Sequence, residues 1–171
     1  MKSILFHLVF LFVSFPLFSQ DIGFMGINIG MAREEVLSFA DERDILKVPK
    51  NRDVEFFPVE ERKILSLSIQ PEVPHIYLQF FNDRLYAITV IFDEKYVDYY
   101  TLSGTLEDKY GPYSALTPRW RQWKVEEIEI KVEKPAVVKY IALEEFLEVT
   151  DFKGRGEEKR SERKEVLLDG L

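Results

Sequence analysis

Two alternating runs face each other across a tight turn near the middle of the chain. From His75 to Phe81, Ile76, Leu78 and Phe80 fall on one side, and Tyr77 and Gln79 on the other. From Leu85 to Phe92, Tyr86, Ile88, Val90 and Phe92 share a side. A period of two belongs to strands, because successive side chains leave a pleated strand on opposite faces. Asn82-Asp83 separates the runs. Both residue types tolerate the positive φ that a two-residue hairpin turn demands. The centre of the chain is therefore committed to antiparallel sheet, and the rest must pack on or beside that hairpin.

Further extended runs flank it. Lys63 to Ile69 places Leu65, Leu67 and Ile69 opposite Ile64, Ser66 and Ser68, and Pro71 and Pro74 then break the chain. Val54 to Val59, Arg119 to Val125, Ile128 to Glu133 and Ala136 to Ala142 also read as extended, with Lys134-Pro135 between the last two. Two segments read as helices. Ala32 to Arg43 gathers Val36, Leu37 and Ala40 on one face, with Glu34 and Glu35 in the first turn, where the helix dipole favours negative charge. Glu94 to Tyr110 follows Asp93 as a capping residue and ends at Gly111-Pro112, a left-handed cap followed by a stop. Gly104 in its middle suggests a close approach to the sheet. Leu143 to Val149 fits a short terminal helix or a strand end. The expected fold class is α+β, two helices packed on antiparallel β-sheet, in an order compatible with tandem helix-plus-three-strand halves.

Gly30-Met31 followed by Glu35-Val36 resembles the G-M-x-x-x-E-V helix entry of small exported bacterial domains, the BamE/SmpA-like lipoproteins and the β-lactamase-inhibitor-like domains. The resemblance covers about a dozen residues and the element order. It implies helices on an antiparallel sheet and function by binding proteins rather than by catalysis. Many members carry Ser or Thr after the Met, whereas Ala32 has no capping oxygen. The lipoproteins are acylated on a cysteine, and this chain has none. Only the fold idea carries over, not a role in outer-membrane assembly.

The first 19 residues read as a secretory signal peptide: Lys2, an apolar stretch from Ile4, and Ser14 to Ser19 as a cleavage region. Ile4 to Phe18 is shorter than the ~18–20 residues that span a bilayer. Cleavage after Ser19 is expected, and with no cysteine following there is no lipid anchor. The protein is thus expected to be periplasmic or secreted, with no membrane span once the leader is removed. Residues 20–150 are expected to form one domain. From Asp151 to Leu171 the chain holds six acidic and six basic side chains and no aromatic after Phe152. Such a tail is expected to be disordered or a lone charged helix, and Val166-Leu167-Leu168 is a small apolar patch within it.

Composition removes several functions. The net charge is −7, which argues against nucleic acid, because phosphates demand a basic surface. Without cysteine the domain cannot form disulfides or thiolate sites. His75 is the one histidine outside the leader and reads as an exposed or hydrogen-bonded residue at a strand entry, so a histidine-rich zinc site is excluded. GFMGINIG at Gly23–Gly30 lacks the spacing of a phosphate loop and reads as an extended entry with glycine turns. The acidic pairs Glu60-Glu61, Asp93-Glu94, Glu126-Glu127 and Glu144-Glu145 read as solvated surface, since neighbours on a strand point to opposite faces. No catalytic, cofactor or metal residue is expected. The chain reads as no enzyme, and a carboxylate-dependent hydrolase ranks last.

One cluster stands out: Arg119-Trp120-Arg121-Gln122-Trp123-Lys124. Alternation sets Trp120, Gln122 and Lys124 on one face and Arg119, Arg121 and Trp123 on the other. One tryptophan is expected in the core and the other outside beside basic groups. Trp and Arg are favoured at binding hot spots, so Arg119, Trp120, Arg121 and Trp123 are the candidate interface residues. The tyrosines Tyr96, Tyr99, Tyr100 and Tyr110 are expected mostly to pack helix against sheet. The leading expectation is an exported, non-enzymatic, protein-binding or envelope structural module whose partner is another envelope or secreted protein. The alternative is a small-ligand or glycan binder that uses an exposed Trp/Tyr surface.

Overall fold

A computed structural model of the chain describes residues 21–48 and 62–150. The expected leader, the Val54–Val59 strand, the Glu60-Glu61 pair and the charged tail lie outside those residues. The described chain runs β1 (Gly23–Phe24), β2 (Ile27–Asn28), α1 (Arg33–Asp41), β3 (Arg62–Ile69), β4 (Val73–Phe81), β5 (Arg84–Ile91), α2 (Tyr99–Tyr110), β6 (Ala115–Leu116), β7 (Trp120–Val125), β8 (Ile128–Glu133) and β9 (Val137–Ala142). A third helix, α3, covers residues 143–150.

Seven strands form one antiparallel sheet in the order β3-β4-β5-β9-β8-β7-β6, and β1-β2 form a separate hairpin. The expected architecture of two helices on a sheet, as tandem halves, is corrected by this arrangement. Among the described residues strand outweighs helix, 43% to 25%, and there are three helices. The physical reason is the pairing of β5 with β9, from Ala87↔Ile141 to Ile91↔Val137. That ladder joins both runs of strands into a single sheet, so neither half closes a core of its own.

The central hairpin forms as its sequence dictates. Asn82 and Asp83 take φ of 47° and 62°, the paired left-handed geometry of a two-residue turn. Its β4-β5 register slips between Gln79 and Phe80, which leaves Tyr86 as an extra residue. The β1-β2 turn repeats the device with Met25 and Gly26. Gly23 must be glycine, since a Cβ there would run into the Ile27 carbonyl oxygen.

Strand register assigns the two faces. On one, Leu65, Leu78, Ile88, Tyr140 and Ile130 meet Val36 and Ala40 of α1 and Leu102 and Leu106 of α2 in the main core. On the other, Val149 of α3 packs with Phe81, Tyr86, Ala87 and Ala142 in a smaller cluster. The sheet thus carries helices on both faces, with α3 covering only one end of the second. Among the described residues no helix is long and apolar enough to cross a membrane.

Helix α2 starts later than expected, at Tyr99. Asp93 instead caps a separate turn, accepting from the Lys95 amide at 2.9 Å. Asp98 is the true cap: its carboxylate accepts from the Tyr100 and Thr101 amides at 2.7 and 2.8 Å. Those bonds hold the Asp98 carboxyl below its ordinary pKa, the Thr101 amide contributing most. In α1, Ala32 offers no capping oxygen, and Glu35 alone reaches back to the Ala32 amide at 3.3 Å.

Candidate functional site

Helix α2 lies over β7 and β8, and this junction decides what the Arg/Trp cluster can do. Trp123 is 1% exposed. Its indole Nε1 donates to the Gly111 carbonyl at 2.8 Å, which ties β7 to the end of α2. The Tyr113 ring meets it edge to face. Trp123 is therefore core, and no partner can touch it. Trp120 is half-buried on the opposite face of the sheet, with the Lys131 ammonium 5.0 Å from its ring centroid. The expected division of one buried and one outward tryptophan matches these positions, but the four candidate residues do not form one patch.

Arg121 lies on the α2 side, where its cross-strand partners are Leu116 and Val132. Its guanidinium stands 5.2 Å from the Tyr113 ring and 6.0 Å from the Tyr99 ring. Glu107 of α2 is its carboxylate partner at 3.9 Å. Arg119 is exposed, and its carbonyl accepts from the Lys134 amide at 2.9 Å. Lys134 itself reaches over α2, its ammonium 5.3 Å from the Tyr99 ring and 5.8 Å from the Tyr100 ring. Tyr99 is buried, but Tyr100 is 68% exposed and meets it edge to face at 82°. Leu116 is 56% exposed.

The assembled surface is thus Tyr100, Leu116, Arg119, Arg121 and Lys134, on a base of Tyr99 and Tyr113. Lys134 was not among the candidates read from sequence. The alternation Ile130, Val132 of β8, carried one step past its end to Lys134, was the available signal, because it puts Lys134 on the α2 side. Of the four tyrosines expected mostly to pack, Tyr99 is buried and Tyr110 half-buried, whereas Tyr96 and Tyr100 are exposed.

A TP0088 domain model matches residues 22–151. The chain belongs to the TP0088 domain family. No curated protein and no solved structure matches this TP0088 domain.

The opposite face of the sheet is more nearly neutralised. Lys131 pairs with Glu129 at 3.0 Å, and Lys139 with Glu133 at 2.6 Å. His75 is exposed there and stacks on Tyr77 with rings 5.7 Å apart. Among the described residues of the TP0088 domain, no three His, Cys, Asp or Glu side chains converge as metal ligands would. Gly104 is not pressed against the sheet as expected: a Cβ there would meet nothing within 4 Å. What the α2–β7 end offers chemically is rings held edge to face, cations over their faces and one exposed leucine. These are means of binding.

Proposed function

We propose that this TP0088 domain is an exported, non-enzymatic module that binds another envelope or secreted protein. The observation that carries the reading is the surface at the start of β7, where exposed Tyr100 and Leu116 flank Arg121 and Lys134. Tyrosine, arginine and an apolar neighbour around a firmly packed base are the composition of interaction hot spots. The export part rests on the charged and apolar leader. The glycan alternative has less support, since a sugar stacks on a bare ring face and Lys134 lies over both Tyr99 and Tyr100.

Crosslinking in intact cells tests the proposal, with a photoreactive residue placed at Tyr100. A discrete protein adduct from the exported fraction is expected. A protein that stays in the cytoplasm, or a Tyr100 probe that yields no protein adduct while sugars raise the melting temperature, would sink it.

A further inference from the structure

We infer that the α2 side of the open end of the β7-β8 hairpin takes an acidic peptide segment of the partner. The inference rests on the protein-binding reading above and adds where the partner sits and what charge it carries. Three cations meet at this end. The bond from the Lys134 amide to the Arg119 carbonyl extends the β7-β8 ladder by one residue and sets Arg119 beside Lys134. Arg119 lies exposed in the bend that leads into β7, two residues before Arg121. Arg121 has one carboxylate near it, Glu107 at 3.9 Å, and Arg119 and Lys134 have none among the described residues.

A positive cluster of this kind is against the trend of a chain whose net charge is −7. Charges farther off are screened beyond roughly 8–10 Å at ordinary salt, so the local balance governs what docks here, Arg119, Arg121 and Lys134 against Glu107 and the Asp98 carboxylate at the start of α2. The ring contacts at Tyr99 and Tyr113 hold the Arg121 guanidinium in place before any partner arrives. A planar guanidinium so placed binds a carboxylate through paired N–H donors, with less entropy lost on docking. Leu116, directly across the ladder from Arg121, adds an apolar contact beside the charge. The matching ligand is an extended segment in which Asp or Glu neighbours an apolar residue. An acidic sugar would satisfy the cations but not Leu116, and the edge-to-face tyrosines give it no flat platform.

The test titrates the full chain with a labelled peptide of alternating Glu and Leu. A Lys/Leu peptide of equal length and an oligogalacturonate serve as the other ligands. Saturable binding of the Glu/Leu peptide alone is expected, weakening as salt rises. An Arg121→Gln, Lys134→Gln double variant is expected to bind it at least about tenfold more weakly, since one lost charge-assisted contact already has that scale. Because Arg121 is half-buried, an Arg119→Gln, Lys134→Gln variant provides a second case in which both replaced side chains are exposed and melting should not change. No binding of the acidic peptide, equal binding of the basic one, preference for the oligogalacturonate, or variants that bind like the parent would overturn the inference. A partner crosslinked at Tyr100 equally well in the Arg119→Gln, Lys134→Gln variant would overturn the acidic-segment inference and leave protein binding standing. Peptide binding without any cellular protein adduct would instead overturn the protein-binding reading.

Discussion

Replacing Trp123 with phenylalanine should be among the costlier single changes at the α2–β7 junction, since this member of the Arg/Trp cluster is the core tryptophan. The structure supplies two contributions. The indole bond to Gly111 is lost and leaves that carbonyl, beside a buried side chain at the end of α2, without its donor, which costs roughly 1–3 kcal/mol. The smaller ring vacates the space of about two carbons at a site 1% exposed, another ~1 kcal/mol. Together these give about 2–4 kcal/mol, or a melting temperature lower by roughly 6–20 °C for a domain of this size. Trp120→Phe is the matched control. It gives up a half-exposed contact with Lys131 worth ~0.5–1 kcal/mol. Urea unfolding followed by circular dichroism gives both values, and tryptophan emission provides an independent check. With Trp123 gone, the remaining emission comes from half-buried Trp120 and should shift to the red. With Trp120 gone, it should shift to the blue. If the two variants unfold within ~0.5 kcal/mol of each other, Trp123 does not join β7 to α2 as described.

Four further outcomes follow from α2 and its neighbours. Gly104→Ala should stabilise by about 0.5–1 kcal/mol in thermal unfolding, since a helix-interior Cβ there meets open space. A loss of stability would mean that α2 sits closer to its surroundings. Ser103 is buried and its hydroxyl has no hydrogen-bond partner among the described residues, so Ser103→Ala should leave urea stability unchanged or raised, by up to about 1 kcal/mol. Asp98 has a folded pKa below its unfolded one, so its contribution is whole above the ordinary carboxylate range and fades as pH falls through the lower folded value. Asp98→Ala should melt earlier at neutral pH and show a flatter acid limb. The Tyr140 hydroxyl has its pKa raised, by burial first and by Tyr110 second. Its contribution is therefore whole below pH ~10 and falls as pH climbs from there toward the folded value. Tyr140→Phe should lose less stability than the parent between neutral and strongly alkaline pH, and equal slopes would contradict the assignment.

Much of the sheet is legible because alternation is a local property. Ile128–Glu133 appears in the structure with both expected ends, and Asn82-Asp83 forms the expected turn. The sheet order is a different matter. Nothing within Leu85–Phe92 or Ala136–Ala142 specifies that these runs pair with each other, because the ladder depends on where the whole chain folds back. Helix α3 was hard to read for another reason. Val149 is buried, but Phe146 and Leu147 are exposed, so no apolar stripe marks its helical period. The two-residue strands β1 and β2 are too short to carry any period. The start of α2 was obscured by two aspartates, each able to cap, of which only Asp98 caps the helix proper.

The same limits explain the candidate surface. Alternation correctly divided Trp120 from Arg121 and Trp123, but the face that α2 covers is a tertiary fact. Once α2 is placed, Trp123 becomes core and Arg121 becomes the edge of that core beside Tyr99 and Tyr113. Lys134 joins them only because β8 returns beside β7 and ends under the first turn of α2. The surface is thus made by segments far apart in sequence, each unremarkable alone: a helix start, an edge strand and a turn. Its charge contrasts with the net charge of the whole chain, −7. Composition does weigh against a nucleic acid, whose phosphates need a broad basic surface. It has little force against a few carboxylates on a peptide, for which three neighbouring cations suffice.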